Sequence, residues 1–386
     1  MIKYKNGMYI LIALILCIVS IYGFISTNSI YLASESDILA SARGMVVIEG
    51  NTNKVLYSHN KDTKMAMASL TKIITCIVAI ENSNDLDDIV NVSDESIGIE
   101  GTSIYLKHGE QLSLRELLLG LMLASGNDCA VAIACHIGGT QQKFVDMMNK
   151  FVLSIGAVNT HIINPHGLDA DNHYTTAYDL GIITSYALKN EEFREICGTD
   201  RTTIRGNDEV DARYLKHKNK LIFTDENCIG VKTGFTDNAG RCLVHATKQT
   251  DGMELITVLL NCGPMFEEAN RLNALAVNEF EMCEFVKPYN FVGSVDIING
   301  NINKTNVATI RGYKDMIKKS ERDKYSVEYD IPDSITAPVS NGDAVGKVYV
   351  KYNDEVVFEE DMISIDNVDN IDLKFMLDNI LNKWYA

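Results

Sequence analysis

Apolar positions recur in this chain with two periods, and the alternation between them outlines its elements. "ARGMVVIEGNTNKVLYSHN" reads as two strands joined by a turn at Gly50-Asn51-Thr52-Asn53. "MAMASLTKIITCIVAI", Met65 to Ile80, is an apolar run expected to be helical from about Ser69. "SLRELLLGLMLAS" opens with Ser113 three residues before Glu116, a capping box, and should stop at "SGND". "CAVAIACHI" and the amphipathic "QQKFVDMMNKFVLSIGA" continue in helical period, and Thr176 with Asp179 caps "TTAYDLGIITSYAL". After Lys189 the pattern turns to strands: "CIGVKTGF", "GRCLVHATKQ" and "MELITVLLNC" predict an antiparallel meander. "FEEANRLNALAVNEFEMCEF" is expected as a helix running to Pro288. From Tyr289 short alternating strands predict a small all-β module. The final "NIDLKFMLDNILNKWYA" returns to helical period, with Leu373, Met376, Leu377, Ile380, Leu381 and Trp384 on one stripe.

The expected fold class is therefore α/β in the α+β sense. The expected division is a leader at 1–34, a mixed domain at 35–287, a β-sandwich-like domain at 288–368 and an amphipathic helix at 369–386. The leader assignment rests on Lys3 and Lys5 followed by the uncharged "MYILIALILCIVSIYGFIS", the order of an export signal, so the bulk of the chain is expected outside the cytoplasm. An uncleaved membrane anchor is the other reading of that run. The terminal helix is too short to span a bilayer, but its stripe with Trp384 and Tyr385 suits a membrane interface; the alternative is packing on the β-module.

Composition narrows the partners. The net charge of −17 over 386 residues, with no long Lys/Arg cluster, argues against nucleic acid and against attraction to an anionic membrane surface. Nine cysteines show no Cys-x-x-Cys pair or zinc spacing; Cys76, Cys129, Cys135 and Cys242 lie in apolar periodic segments and read as free thiols.

The candidate chemistry starts at Ser69 and Lys72, which stand at i and i+3 and project from one face of a helix. A lysine turned into the packed interior loses solvation, so its charged form is disfavoured and its pKa falls. A neutral amine there can take the serine proton and create a nucleophile. A serine N-cap followed by a snorkelling lysine is the bland alternative. Two further motifs weigh against it: Ser125-Gly126-Asn127 at the break between two helices, and Lys232-Thr233-Gly234 at the end of a strand. The three in this order are the set of penicillin-binding proteins and class A β-lactamases.

With its flanking strings "MAMASLTKIIT", "LMLASGNDCAVAIA", "NPHGLD", "HYTTAYDL" and "VKTGFTDNAGRCLV", the chain resembles the low-molecular-mass penicillin-binding proteins, serine D-alanyl-D-alanine carboxypeptidases of bacterial cell walls. The resemblance runs from about Arg43 to the C-terminus and includes "ITAPVSNGDAVGKVYV". It implies a serine β-lactamase/DD-peptidase-like fold with an antiparallel sheet and a helical lobe. It implies that Ser69 is acylated, with Lys72 as general base, Ser125 relaying the proton to the departing D-alanine, and Asn127 orienting Lys72 and the substrate amide. Lys232 and Thr233 would meet the terminal carboxylate of a peptidoglycan stem peptide. The oxyanion would lie between backbone N–H groups of Ser69 and Phe235, with Gly234 permitting the close approach. Penicillins would acylate the same serine, and no cofactor or metal is implied. Family members often carry an arginine or asparagine before the Lys-Thr-Gly strand; here the string is "KHKNKL", so His217 or Lys218 would substitute, unless the segment is a solvated basic loop.

Three rival readings are set against this one. A β-lactamase would need a glutamate base, and no Glu-x-x-x-Asn lies between Asn127 and Lys232. A zinc peptidase is suggested by His161, His166, Asp169, His173 and Asp179, but no His-Glu-x-x-His helix accompanies them, so they read as loop residues and caps. A wall-binding module that keeps the fold without catalysis should have lost Ser69, Lys72 or Lys232. Carboxypeptidase and endopeptidase action are not separable from the sequence.

Overall fold

The computed structural model describes residues 36, 37, 40–204, 211–373, 375–377 and 384. The leader therefore lies outside the described residues. β1 (Ser36–Asp37), β2 (Ala42–Glu49) and β3 (Val55–His59) precede a 3₁₀ turn at Ala68–Leu70, which runs into α1 (Thr71–Glu81). β4 (Ile89–Asn91) pairs with β5 (Gln111–Ser113), and α2 (Leu114–Leu119) continues as one π turn at Gly120–Ala124. Then come α3 (Asn127–Gly138), α4 (Gln141–Ser154), α5 (Ala177–Leu188) and α6 (Glu191–Gly198). β6 (Arg201–Ile204) and β7 (Arg213–Lys216) form a hairpin before the meander of β8 (Cys228–Thr236), β9 (Gly240–Lys248) and β10 (Glu254–Cys262). α7 (Met265–Glu279) follows.

The main sheet has the order β1-β3-β2-β10-β9-β8, which leaves β8 on an edge. Alternation of side chains explains why it is covered on both faces. Val46 and Ile48 of β2 pack against Gly181 of α5. On the opposite face, Thr257 of β10, which pairs with Val47, donates to Asn273 of α7 at 2.6 Å. The expected caps are present: Ser113 and Glu116 exchange the capping-box bonds, and Thr176 Oγ1 accepts the Asp179 N–H at 3.0 Å.

Two expectations are corrected. The chain does not turn directly to strands after Lys189, because Asn190 accepts the Phe193 N–H at 3.0 Å and starts α6. Phe193, Ile196 and Cys197 then bury one helical face. Nor does the helix reach Pro288. It stops at Glu279, and β11 (Phe280–Val286) pairs antiparallel with β14 (Tyr313–Lys318). Its cross-strand pairs favour the extended chain although the preceding sequence is strongly helical.

The rest of the β-module comprises β12 (Phe291–Ile298), β13 (Lys304–Thr309), β15 (Tyr325–Asp330), β16 (Ser334–Thr336), β17 (Ala344–Tyr352) and β18 (Glu355–Ser364). They form one sheet in the order β15-β17-β18-β13-β12-β16, over a separate core that includes Val295, Val307, Val348, Val350 and Met362. Polar contacts tie it to the first part: Lys318 of β14 pairs with Glu279 at 3.1 Å, and Lys54 donates to the Met316 carbonyl at 2.9 Å. All eight described cysteines are free thiols. Among the described residues, no helix is long and apolar enough to cross a membrane.

Candidate active site

The segment before α1 is not a regular helix start. Ala68 has φ +48°, a left-handed conformation that costs a non-glycine residue about 1–2 kcal/mol. That backbone turn sets Ser69 in the 3₁₀ turn instead of at a side-chain cap. Its hydroxyl stands 2.9 Å from Lys72 Nζ. Lys72 is fully buried and does not snorkel. Its amine donates to Asn127 Oδ1 and to the His166 carbonyl, both at 2.6 Å. Those two oxygens can only accept, so a neutral Lys72 uses its two N–H groups on them and keeps its lone pair for the Ser69 hydroxyl. Burial lowers the Lys72 pKa to about 7, and the nearby Lys218 ammonium adds to the effect.

The His166 carbonyl is a partner that the sequence reading missed. It is brought there by a close approach that only glycine allows. Gly167 has φ +92°, and a Cβ on it would fall 2.0 Å from the Ala68 carbonyl oxygen. Asn164 holds the loop by accepting the Gly167 N–H at 2.7 Å and donating to the Leu168 carbonyl at 2.9 Å. Thr75 of α1 donates to the Pro165 carbonyl at 2.6 Å. The string "NPHGLD" carried this signal, but it did not say that the histidine backbone is the part that matters.

The five residues of the zinc reading are engaged separately. His173 Nδ1 accepts the Ile163 N–H, which leaves Nε2 to donate to Thr71 Oγ1 at 2.9 Å. His166 Nδ1 accepts the Leu168 N–H, and His161 Nδ1 donates to the Asn172 carbonyl. Burial lowers the pKa of His166 and of His173 to about 4, so both rings are neutral at physiological pH. Asp179 accepts from Asn159 and Thr160, and Asp169 accepts from Thr236.

Asn127 is fixed from the opposite wall. Its N–H donates to the Thr102 carbonyl at 2.7 Å and its Nδ2 to the Glu100 carbonyl at 2.6 Å. The loop supplying those carbonyls is itself held by the buried Asp128, which accepts from Ser103 Oγ and from the N–H groups of Ile104 and Leu106. Arg213 of β7 reaches over to the Ile104 and Tyr105 carbonyls and pairs with Glu110. None of these supports was singled out from the sequence. Ser125 ends the π turn in a left-handed conformation, φ +66°, and is buried; among the described residues its hydroxyl makes no hydrogen bond.

The edge strand β8 closes the third side. A Cβ on Gly234 would lie 3.1 Å from both the Ser69 nitrogen and the Met67 oxygen, so this strand runs directly against the nucleophile turn. Phe235 beside it is 62% exposed, which leaves the strand open to the cleft. Lys232 is fully buried and donates to the Thr233 carbonyl at 3.1 Å. Its pKa is pushed well down, by burial first and then by the ammonium groups of Lys72 and Lys218. Thr233 is nearly buried next to it.

The "KHKNKL" segment divides its two candidates. His217 is buried behind the strand: Nδ1 accepts the Asn219 N–H at 2.9 Å, and burial lowers its pKa to about 4. Lys218 is the exposed one, with Nζ 3.3 Å from Thr102 Oγ1, and its charge acts on both Lys72 and Lys232. Three lysines thus converge around Ser69, which makes an anionic ligand a strong electrostatic match.

The sequence profile of D-alanyl-D-alanine carboxypeptidases of the S11 peptidase family matches residues 32–263, and that of the penicillin-binding protein 5 C-terminal domain matches residues 280–370. D-alanyl-D-alanine carboxypeptidase DacF of Bacillus subtilis is 30% identical over 358 residues, covering 90% of this chain and 91% of the relative. DacC of Escherichia coli is 27% identical over 347 residues, covering 85% of this chain and 84% of the relative. The crystal structure of penicillin binding protein 5 from Haemophilus influenzae superposes with a TM-score of 0.67 at 25% identity, covering 87% of this chain and 99% of that one. With the S11 profile spanning residues 32–263 and DacF matching over 90% of its length, the chain belongs to the S11 family of D-alanyl-D-alanine carboxypeptidases.

Proposed function

We propose that this protein is a serine carboxypeptidase that removes the terminal D-alanine from peptidoglycan stem peptides through an acyl-enzyme on Ser69. The observation carrying the reading is the 2.9 Å contact between Ser69 Oγ and a buried Lys72 whose other two partners are pure acceptors. In the first step Lys72 takes the hydroxyl proton as Ser69 Oγ attacks the penultimate carbonyl, forming the new C–O bond. The oxyanion is received by the N–H groups of Ser69 and Phe235. The C–N bond then breaks, and D-alanine leaves with a proton handed on through Ser125. Asn127 orients Lys72 and the substrate amide. Water deacylates the ester with Lys72 again as base. The test is D-alanine release from diacetyl-L-lysyl-D-alanyl-D-alanine beside the lifetime of a labelled penicillin adduct. Release together with a long-lived adduct supports the carboxypeptidase, whereas rapid penicillin turnover with no D-alanine release would mean a β-lactamase.

Carboxylate recognition falls to Lys232, Thr233 and Lys218. An incoming carboxylate supplies a counter-charge to the crowded lysines, and it lets Lys232 hold its proton beside a neutral Lys72. Lys232→Ala is expected to lower kcat/KM by roughly 10- to 100-fold on a free-carboxylate substrate, the worth of a charge-assisted hydrogen bond. Its amidated analogue should lose much less. Equal losses on both would remove Lys232 from carboxylate recognition.

The expected division of the chain is kept with one change. The β-module is drawn from Phe280, because β11 pairs with β14 and not with the main sheet. Export, with the leader cleaved, and a place at the outer face of the membrane complete the reading. Support for an interfacial helix comes from Leu373, Met376, Leu377 and Trp384, which are 74%, 50%, 51% and 85% exposed, so the described apolar stripe is uncovered. A leaderless version ending at Asp369 should be active on the tripeptide and absent from liposome pellets. With the helix restored it should co-sediment almost independently of salt, because the charges on the helix cancel (Asp372 and Asp378 against Lys374 and Lys383). If both versions stay in the supernatant, the helix is a packing element.

A further inference from the structure

A second cavity, of about 170 Å³, opens at the end of the main sheet, lined by Arg43, Lys64, Met65, Ala66, Asn238, Ala239 and Asn261. Two of its walls lead along the chain to the groups around the nucleophile. Met65 and Ala66 lie four and three residues before Ser69, and Asn238 and Ala239 form the turn that follows β8. Gly234 packs directly against the Ser69 turn, so the two segments run side by side from the catalytic groups to this cavity.

Its chemistry is cationic and amide-rich. Among the described residues neither Arg43 nor Lys64 has a carboxylate partner, while the neighbouring Lys61 is paired with Asp62 at 2.9 Å. Lys64 is held in place, its Nζ 4.6 Å over the Tyr174 ring and 3.4 Å from the Tyr174 hydroxyl. Asp169 is turned to Thr236 at 2.9 Å, and Asp237, in the same turn, is not among the lining residues. A guanidinium, an ammonium and two carboxamides without an acid of their own form a receptor for a carboxylate.

We propose that this cavity is a subsite for a free carboxylate on the third residue of the donor peptide, counted from the cleaved bond towards the amino terminus. The inference rests on the carboxypeptidase reading. β8 is an edge strand, and an extended peptide can add to it. With its terminal carboxylate at Lys232 and Thr233 and the attacked carbonyl near Phe235, the peptide runs antiparallel to β8. Its upstream residues then pass Thr236 and Asp237. At about 3.3 Å per extended residue, the third residue from the cleaved bond comes level with Asn238 and the cavity mouth. In a wall stem peptide this residue is the γ-linked D-glutamate, whose α-carboxylate is free unless it has been amidated. The subsite would then make the enzyme sensitive to that amidation.

The test compares L-Ala-γ-D-Glu-L-Lys-D-Ala-D-Ala with the same pentapeptide bearing an α-carboxamide on the glutamyl residue. Each kcat/KM is divided by that of the same enzyme variant on diacetyl-L-Lys-D-Ala-D-Ala, which carries only an acetyl group at the third position, so any general loss of folding or chemistry cancels. The wild type is expected to favour the carboxylate by about fivefold, the size of a partly solvated ion pair with an arginine. Arg43→Gln combined with Lys64→Gln should bring the preference to about one, and Lys64→Glu should invert it in favour of the amide. A wild-type preference near one, or a preference unchanged in these variants, overturns the subsite and leaves the catalytic reading standing. No D-alanine release from any of the three substrates overturns the catalytic reading and the subsite with it.

Discussion

Ser69→Ala abolishes D-alanine release and covalent labelling by penicillin in the same step. No side chain other than Ser69 brings a hydroxyl against Lys72 Nζ among the described residues. The other serine of the three motifs, Ser125, is buried and has no hydrogen bond to a base among the described residues. The buried thiols nearby are no substitute: burial raises the Cys76 and Cys129 pKa values well above the ordinary range, and a protonated thiol is a poor nucleophile. The expected drop in kcat is at least about 10⁴-fold, the scale seen when a catalytic serine is removed. The fold should survive, since the variant deletes one hydroxyl at the mouth of the cleft and leaves Lys72 bound to Asn127 and to the His166 carbonyl. Mass spectrometry of the penicillin-treated variant gives the decisive reading. An adduct on the alanine protein would place the nucleophile elsewhere and end the assignment.

Lys72 sets the pH dependence. Its folded-state pKa lies at about 7, down from the ordinary lysine value, because the ammonium is buried beside the charge of Lys218. Below that pH the ammonium donates to all three oxygens around it, including Ser69 Oγ, and has no lone pair to accept a proton. Above it the amine is free to act as base. Acylation should therefore rise with pH, with a midpoint near 7 in kcat/KM, which reports the free enzyme. Lys72→Ala should cost roughly 10²- to 10⁴-fold and flatten this limb, since the group that titrates is gone. Lys218→Ala should shift the midpoint upward by removing a repelling charge, with a much smaller loss of rate. A wild-type profile that is flat or falls between pH 5 and 9, or a limb that persists without Lys72, would assign the base role to another group.

The local features were legible because they depend on neighbours in the chain. The i, i+3 spacing of Ser69 and Lys72, the caps at Ser113 and Thr176, the turn between β2 and β3, and the β8 to β10 meander all follow from spacing and turn chemistry over a few residues. The order of the three motifs points to the reaction without the fold. Helix α6 is also local and could have been found: Asn190 is a good cap, and Phe193, Ile196 and Cys197 have the right spacing. Its eight residues were lost against the strong strand signal that follows.

What the sequence could not decide was which groups come from far along the chain and which way they face. Lys72 becomes a base because three segments enclose it: its own helix, Asn127 from 55 residues on and the His166 backbone from 94 residues on. A backbone carbonyl has no identity in sequence, so only the fold could show that His166 contributes its oxygen and not its ring. The same holds for His217 and Lys218. They are adjacent and both basic, but successive side chains leave the segment in opposite directions, so one is buried against β8 beside Lys232 and the other is exposed next to Thr102. The strand at Phe280–Val286 likewise exists because Tyr313–Lys318 is there to pair with it. The sequence by itself determined the reactive groups and the local elements that present them. Their burial, protonation and orientation were decided by tertiary packing, because desolvation and long-range hydrogen bonds arise only when distant segments meet.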